Sequence, residues 1–349
     1  MAEPRLRSGS IAILPKLEGL GGPVSFAARL AAGLRANDFE VHNDPRQPGT
    51  AAVLVIGGTR HMDWLLSSKN SGVRVVQRLN GMNWIHKRRS TGLRHYLRAE
   101  LHNWMLATIR GRIADRVVYQ STFARNWWQT SRGTTRAPAR VIYNCVDLNE
   151  YSPEGPHQRP TDHTRILLVE GHLRGGYEQG LDSAVKLNQI LNTEAGIGSK
   201  PFELMVAGDV PEEMRAHYSS LPGTWITWSG VLPRAQIAEL DRSAHLLFSA
   251  DLNAACPNSV IEALACGLPV IAFATGSLPE LIQGDSGRVV PYGSNYWKLE
   301  DPDVPALAGA VKEIMANQPH FRSSARAQAE ANFDIQRMIA AYQDVLLAD

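Results

Sequence analysis

Residues 244–282 combine the residue types that can hold a phosphate-bearing ligand beside a carboxylate. They read as a buried strand, a polar loop, a short helix carrying Glu262, a second buried strand, and a Thr275-Gly276-Ser277 turn that opens another helix. The first turn of a helix leaves backbone N–H groups unpaired and carries partial positive charge. Two helix N-termini beside one carboxylate therefore predict a site for a nucleotide diphosphate.

This stretch resembles the nucleotide-sugar site of family 4 of the retaining GT-B glycosyltransferases, the glycosyl transferases group 1. In that family Glu-Gly-Phe-Gly is followed after four residues by Glu-Ala-Met-Ala-x-Gly-x-Pro-Val-Val-Ala, and later by Gly-Gly-x-Pro-Glu. Here residues 262–272 read Glu-Ala-Leu-Ala-Cys-Gly-Leu-Pro-Val-Ile-Ala, and residues 276–280 read Gly-Ser-Leu-Pro-Glu. The first half departs from the family pattern, because Ala254 stands where the family has its first Glu.

The resemblance implies an α/β fold of the GT-B type, with two Rossmann-like doubly wound domains facing a cleft. It also implies a hexosyltransferase-type enzyme that takes its sugar from a nucleotide-diphosphate donor. The implied donor-binding residues are Gly21, Gly22, Gly171, His172, Arg174, Asp251, Asn258, Ser259, Glu262, Gly276 and Ser277. The implied catalytic residues are Arg174, Glu262 and Asn80. By analogy Glu262 binds the ribose hydroxyls, although a Glu that balances the helix dipole is the alternative.

A second expected phosphate-binding segment follows the strand predicted at 165–170. The family has an Arg and a Lys here that neutralise the leaving diphosphate. In this sequence His172 aligns with that Arg, and Gln179 aligns with that Lys. Arg174 lies two residues beyond His172, and its guanidinium suits phosphate. We therefore expect Arg174 to bind the diphosphate, with a surface arginine as the alternative, while the role of His172 stays open.

The replacement of the first family Glu by Ala254 predicts either a different sugar or a loss of activity. Asp251 and Asn258 flank the same loop, and either can reach a sugar hydroxyl. For both residues the alternative is loop capping and turn formation. We expect altered sugar choice, because Glu262 and the Gly276 turn are retained together.

A glycine-rich loop, which includes Gly19, Gly21 and Gly22, follows the strand predicted at 10–14. Family 4 enzymes have a similar loop that lines the phosphate and acceptor side of the cleft. The competing interpretation is a nicotinamide-dependent dehydrogenase. The glycine spacing does not make Gly-x-Gly-x-x-Gly, and the strand at 51–56 lacks the acidic residue that a ribose would need. We therefore expect no nicotinamide binding.

The first half of the chain is expected to bind the acceptor. Arg78 ends a predicted strand at 73–78. Asn80 lies two residues beyond it and occupies roughly the place of a His in many relatives. A cation-rich segment follows at 84–112, comprising Lys87, Arg88, Arg89, Arg94, Arg98, Arg110 and Arg112 with the aromatic residues Trp84, Tyr96 and Trp104. Such a pattern is typical of peripheral contact with an anionic membrane or a lipid-linked acceptor. A solvated helix face is the alternative, and it is the interpretation that we favour.

The resemblance further implies a retaining reaction in which the leaving phosphate helps to remove the proton of the acceptor hydroxyl. No protein nucleophile is then required. Because helix N-termini and Arg174 would neutralise the leaving group, we expect no divalent metal and no cofactor besides the nucleotide-sugar substrate.

Apolar strands alternate with helical patterns along the chain, which predicts parallel sheets covered on both faces. Strands are predicted at 10–14, 51–56, 73–78, 116–119, 140–143, 165–170, 203–207, 224–229, 244–249, 269–273 and 287–290. The Pro-rich polar segment 153–163 is expected to link a domain at 1–152 to a donor-binding domain at 164–330. The resemblance adds that a final helix at 331–349 crosses back to the first domain.

Composition agrees with an ordinary globular enzyme, since 44% of the 349 residues are hydrophobic and 20% are charged. A net charge of +2 gives no argument for nucleic-acid binding. No apolar run is long enough for a membrane span and the N-terminal residues lack a signal-peptide core, so we expect a cytoplasmic protein, with peripheral contact at the inner face of the membrane as an option. Three cysteines without metal-ligand spacing agree with a reducing compartment.

The resemblance therefore implies a retaining glycosyltransferase, which we expect to act in bacterial polysaccharide or glycoconjugate biosynthesis. The alternative is a GT-B protein that binds a nucleotide or sugar without catalysis.

Overall fold

A computed structural model describes residues 9–19, 21–90, 92–173, 178–194 and 200–348. These residues form two compact units. The first unit contains residues 9–86, 92–144 and 335–348, and the second contains residues 87–90 and 145–334. The segment expected as a linker, 153–163, thus groups with the second unit.

Each unit is built on a six-stranded parallel sheet. The first contains β1 (Ser10–Leu14), β2 (Glu40–His42), β3 (Thr50–Ile56), β4 (Arg74–Leu79), β5 (Arg116–Tyr119) and β6 (Ala139–Val141). The second contains β7 (Thr164–His172), β8 (Phe202–Asp209), β9 (Ile226–Gly230), β10 (Leu246–Ser249), β11 (Val270–Phe273) and β12 (Gly287–Val290).

The helices of the described chain cover the sheets. They are α1 (Gly22–Ala36), α2 (Met62–Asn70), α3 (Leu93–Thr108), α4 (Thr122–Arg132), α5 (Glu178–Glu194), α6 (Glu212–Ser219), α7 (Arg234–Ser243), α8 (Asn258–Ala265), α9 (Leu278–Leu281), α10 (Val304–Ala316), α11 (Gln318–Asn332) and α12 (Ile335–Leu347). A π-helical turn, Ile109–Ile113, continues α3. Short 3₁₀ turns lie at Ile85–Lys87, Gly284–Ser286 and Tyr296–Lys298.

The first sheet has the strand order β2-β1-β3-β4-β5-β6. Its strands β1 and β3 are almost wholly apolar, and β3 is fully buried from Ala52 to Val55. Such continuous apolar runs are typical of parallel strands that are covered on both faces. The helix α12 belongs to this unit, where its Tyr342 ring packs against Phe26 of α1 with the ring centroids 5.2 Å apart.

The second sheet has the strand order β12-β11-β10-β7-β8-β9. The chain runs from β7 outward through β8 to β9, and then returns to the other side of β7 for β10, β11 and β12. The direction of winding therefore reverses between β7 and β10. In doubly wound sheets, ligands bind beyond the carboxyl ends of the strands at this switch point.

Among the described helices, none is long and apolar enough to cross a membrane.

Candidate functional site

The segment between β10 and α8 packs tightly against the turn that follows β11. Gly276 in that turn has φ +58°, and a Cβ there would lie 2.6 Å from both the backbone nitrogen and the carbonyl oxygen of Ala254. The Ser277 N–H donates to the Ala254 carbonyl at 2.9 Å. Only glycine satisfies both the positive φ and this close approach. The two loops that the sequence predicts as the donor site therefore form one junction, which we call the 254–276 junction.

Buried polar atoms gather in and beside the 254–276 junction without using their hydrogen-bonding capacity. The side-chain amide oxygen and nitrogen of Asn253 have no hydrogen-bond partner within the described chain, and neither do the hydroxyls of Ser249, Thr275 and Ser277. Buried polar groups are normally hydrogen-bonded, and exceptions require a water, an ion or a ligand. A bound water or ligand could satisfy these atoms. Asn253 was not among the residues that the sequence suggested, although an Asn in a polar loop is a recognisable sign.

Helix α8 begins at Asn258, four residues after Ala254 of the junction. Its N-cap residue is Pro257, and no side chain caps the helix. Asn258 and Ser259 occupy the first turn and are half-buried. Helix α9 comprises only four residues, Leu278–Leu281, so its dipole is small. Of the two anion-binding helix N-termini expected from the sequence, α8 therefore provides the stronger one.

Glu262 lies one turn into α8 and is buried, with 8% of its surface exposed. Its carboxylate interacts electrostatically with Asp241 of helix α7. Burial raises the pKa of Asp241 well above its ordinary value, the charge of Glu262 raises it further, and Arg242 lowers it. Glu262 thus lies in an acidic pair at the α7–α8 contact, and a ribose could reach only the exposed fraction of its side chain.

The switch point of the second sheet holds two further carboxyl groups. Glu170 is in the last part of β7, and Asp251 follows the end of β10 by two residues. Burial raises the pKa of Glu170 well above its ordinary value, and the charge of Asp251 adds to that shift. Burial also raises the pKa of Asp251 to about 7. The pair therefore retains a proton close to neutral pH and can both donate to and accept from a sugar hydroxyl.

The sequence suggests Asp251 as a sugar contact but assigns no role to Glu170. A carboxylate at the end of a central strand, just before Gly171, was the available sign. The neighbouring helix α5 also approaches this place closely, since a Cβ on Gly180 would lie 2.2 Å from the carbonyl oxygen of Ala250. The start of α5 and the Asp251 loop therefore form one continuous edge.

The residues expected to bind the leaving diphosphate are only partly described. Gly171 and His172 are exposed at the end of β7, and the His172 Nδ1 lies 3.4 Å from an Asp209 carboxylate oxygen. Arg174 lies outside the described residues. Gln179, which aligns with the family Lys, is buried and its amide donates to the Tyr292 hydroxyl at 3.1 Å. The Gln179 side chain therefore makes an internal hydrogen bond and does not face a ligand.

The glycine-rich loop of the first unit leads directly into α1. Gly21 is the N-cap of α1, has φ +125° and accepts a hydrogen bond from the Ser25 N–H at 3.0 Å. Gly22 is the first residue of the helix, which runs for 15 residues without a side-chain cap. A ligand can therefore approach the backbone N–H groups of this helix without meeting a side chain at either glycine.

Arg78 and Asn80, expected as acceptor or donor contacts, form an internal network of the first unit. Arg78 is 1% exposed, stacks 3.7 Å above the Phe26 ring and donates to the side-chain oxygens of Asn144 at 2.7 Å and Asn80 at 3.1 Å. The same Asn80 oxygen accepts a hydrogen bond from Gln120. Arg78 is thus buried too deeply for the ligand contact considered for it. Asn80 is half-buried, and its oxygen is already used.

The cation-rich segment 84–112 is not a uniform solvated face. The guanidinium of Arg110 is buried and donates to the Tyr119 hydroxyl and the Gly133 carbonyl, both at 2.7 Å. Arg89 donates to the Glu178 carboxylate at 3.0 Å. These two cations therefore serve intramolecular contacts, whereas Arg94 and Arg98 on α3 are exposed.

One Asp-x-Asp triplet occurs in the sequence, Asp301-Pro302-Asp303. The Asp303 carboxylate caps α10, because it accepts a hydrogen bond from the Ala306 N–H at 3.1 Å. This capping contact gives the second aspartate a structural role. Cys145, Cys256 and Cys266 are buried.

Comparisons with known proteins agree with this geometry. Residues 165–317 match the family model described as glycosyl transferases group 1. The chain is 29% identical over 223 residues to the GDP-mannose-dependent alpha-(1-6)-phosphatidylinositol dimannoside mannosyltransferase of Mycobacterium tuberculosis. That match covers 62% of this chain and 53% of the relative, so the chain spans about half the length of the curated relatives it matches.

Solved structures show the same fold over nearly the whole chain. WaaG, a glycosyltransferase involved in lipopolysaccharide biosynthesis, superposes with a TM-score of 0.71 at 14% identity and covers 97% of this chain and 100% of its own. Sucrose-phosphate synthase from Thermosynechococcus elongatus superposes with a TM-score of 0.70 at 16% identity, and the match covers 97% of this chain and 98% of the synthase chain. Anabaena HepE in complex with UDP and glucose superposes with a TM-score of 0.67 at 14% identity, and the match covers 97% of this chain and 99% of the HepE chain. The two parallel six-stranded sheets with flanking helices are those of the GT-B fold.

Proposed function

Because residues 165–317 match the family model described as glycosyl transferases group 1, we propose that this chain transfers a sugar from a nucleotide-diphosphate donor to a hydroxyl acceptor. The observation that carries this proposal is the 254–276 junction, where unpartnered buried polar atoms lie beside the open N-terminus of α8. A diphosphate suits the helix N-terminus, and sugar hydroxyls suit the polar atoms.

The proposed division of labour follows the chemistry of the leaving group. Cleaving the bond between sugar and diphosphate develops negative charge on the phosphate, which the α8 N-terminus stabilises together with Arg174. Asp251 and Asn258 bind sugar hydroxyls in place of the carboxylate that Ala254 lacks. Glu262 accepts hydrogen bonds from the ribose. The proposed reaction retains the anomeric configuration, and it needs no divalent metal, so EDTA is expected to leave turnover unchanged.

GDP-mannose is the first donor to test, because the curated relative is named as GDP-mannose-dependent. UDP-glucose is the second, because Anabaena HepE was solved with UDP and glucose. The name of the Mycobacterium tuberculosis relative includes a phosphatidylinositol dimannoside, and WaaG is described as involved in lipopolysaccharide biosynthesis. Both names support a lipid-linked acceptor in glycoconjugate assembly.

A GT-B protein that binds donor without catalysis is the second candidate, because Ala254 replaces the first family carboxylate. A calorimetric titration with each donor, followed by an assay for nucleoside diphosphate release, separates the two. Binding with release supports the enzyme, whereas binding without release from any donor supports the second candidate. If no nucleotide sugar and no nucleoside diphosphate binds, both are wrong.

A further inference from the structure

Helix α3 of the first unit presents an apolar face on the side opposite the one that packs on the protein. Ala99, Asn103 and Leu106 are buried, and their spacing of four and three residues marks one face of the helix. The opposite face carries four large side chains that are exposed: Leu93 at 74%, Leu97 at 59%, Leu101 at 64% and Trp104 at 52%. We call these four residues the α3 stripe.

Large apolar side chains are otherwise seldom exposed in the described chain. Eight are exposed in all, and α3 contributes five of them, the α3 stripe and Tyr96. Single exposed apolar residues are ordinary on protein surfaces, but a contiguous set is typical of a surface that meets a partner or a membrane. An apolar face on an otherwise polar helix is the pattern of helices that lie in a membrane interface.

Cationic groups border the α3 stripe on one side. Arg94 and Arg98 are exposed and lie one turn apart on α3. Arg98 also lines a surface pocket together with Arg60 and His102. Burial lowers the pKa of His102, and the charge of Arg98 lowers it further, so the His102 imidazole adds little positive charge to that of the two arginines. A guanidinium pair of this kind is suited to a phosphate group.

We propose that α3 docks this protein on an anionic phospholipid bilayer. The α3 stripe enters the boundary between headgroups and acyl chains, and Trp104 sits at the level of the headgroups, where its ring is partly apolar and partly polar. Arg60 and Arg98 bind a lipid phosphate. Charge complementarity selects this partner, because an apolar stripe bordered by arginines matches a surface that is apolar below and negative above. Membrane docking is argued from α3 alone. It rests on the proposed function only for its purpose, which is to bring the enzyme to a lipid-linked acceptor.

Co-sedimentation of the full chain with vesicles tests the proposal directly. Vesicles of phosphatidylcholine alone are compared with vesicles of phosphatidylcholine and phosphatidylglycerol. The protein is expected to sediment with the anionic vesicles, and binding is expected to weaken as added salt screens the arginines. Equal partitioning into both kinds of vesicle, or no partitioning into either, would overturn the proposal.

The contribution of the α3 stripe is isolated by Leu97→Gln and Leu101→Gln, each alone and combined. Both side chains are exposed, so the fold should tolerate the change. Each substitution is expected to weaken partitioning roughly tenfold, because each removes one leucine from the buried apolar area. Leu66→Gln, on α2, is the matched control, since Leu66 is also exposed at 46% but lies outside the stripe. Partitioning of the double variant equal to that of Leu66→Gln would contradict the role of the stripe.

The contribution of the pocket is isolated by Arg98→Gln. It is expected to weaken binding to anionic vesicles several-fold. Arg136→Gln, an exposed arginine of the same unit, is the control for general charge and should change partitioning less. Identical effects of the two substitutions would show that α3 supplies only non-specific charge, which contradicts the phosphate-binding pocket.

Two further measurements keep the outcomes separate. If the α3 stripe instead joins two copies of the chain, light scattering will show a dimer that Leu97→Gln and Leu101→Gln dissociate, and this result overturns the proposal. Donor binding of the same variants is measured by calorimetry without vesicles and should equal that of the wild type. Vesicle binding without donor binding would leave membrane docking standing and refute the proposed enzyme, and donor binding without vesicle binding would do the reverse.

Discussion

Gly276 sets the geometry of the candidate donor site through two separate constraints. Its φ of +58° disfavours any side chain, and a Cβ there would meet Ala254 at 2.6 Å. Gly284 has a similar φ of +55°, but nothing lies within 4 Å of its position for a Cβ. The two glycines therefore form a natural pair for separating backbone strain from the close approach of the two loops.

We predict that Gly276→Ala destabilises the protein more than Gly284→Ala. The positive φ alone costs about 1–3 kcal/mol, and this cost is common to both substitutions. The close contact with Ala254 adds to the cost only at position 276 and displaces the 254–276 junction, so donor affinity falls as well. Urea unfolding and donor titration of the two variants measure these effects, and equal stabilities with unchanged donor affinity would refute the junction as a donor site.

Glu262 allows a test in which binding and stability are expected to separate. Glu262→Gln should weaken donor binding, because charge-assisted hydrogen bonds to the ribose are worth about 1.5–3 kcal/mol. The fold should survive, because the amide has the same shape and the substitution relieves the repulsion with Asp241. Calorimetry measures the affinity, with Glu239→Gln on the exposed side of α7 as the control. An affinity equal to that of the control would remove Glu262 from the donor site.

Asp251 is expected to make stability depend on pH. Its pKa in the folded protein, about 7, lies above the ordinary value of 3.8, so between these values the folded state binds more protons than the unfolded state. The contribution of this carboxyl is therefore fully present at low pH and is lost as the pH rises toward 7. Asp251→Asn should then gain stability relative to the wild type between about pH 5 and about pH 7. Urea unfolding at both pH values tests this, with Asp63→Asn on the exposed side of α2 as the control. Parallel pH profiles for wild type and Asp251→Asn would contradict the prediction.

Among the elements, α12 offers a test of how the end of the chain stabilises the first unit. Tyr342 is fully buried and packs against Phe26, and the side chain of Ile339 lies over Gly33 of α1. Tyr342→Ala should lower the free energy of unfolding by about 3–5 kcal/mol, as large-to-small substitutions of buried aromatic residues do. Ala340→Gln, on the exposed side of the same helix, should change it little. If the two variants unfold at the same urea concentration, α12 does not stabilise the unit.

The elements that the sequence predicts best are the strands with continuous apolar runs. All eleven predicted strands correspond to strands of the structure, with ends displaced by up to two residues. The strand that the sequence did not predict, β2 (Glu40–His42), has only three residues, and none of them is buried. It therefore contains no apolar run from which a strand could be predicted. Residue roles are harder to predict, because they depend on partners distant in sequence. Arg78 is buried against Phe26 and Asn144, and Gln179 is bonded to Tyr292, and neither contact is visible in the local pattern.

At the scale of the whole molecule, the match to the glycosyl transferases group 1 falls within the second unit. That unit contains the switch point between β7 and β10, the acidic pair of Glu170 and Asp251, and the 254–276 junction. The first unit has its own six-stranded parallel sheet and carries the α3 stripe. The proposed account therefore assigns donor binding to the second unit and membrane docking to the first.

The central claim, retaining transfer from a nucleotide sugar, is tested most directly by following the anomeric proton of the product by NMR. The purified chain is incubated with GDP-mannose or UDP-glucose and an acceptor alcohol in the presence of EDTA. The account predicts release of the nucleoside diphosphate and a product with the same anomeric configuration as the donor. Release with the opposite configuration would contradict the retaining mechanism, and the absence of both release and transfer from every nucleotide sugar tested would contradict the proposed enzyme.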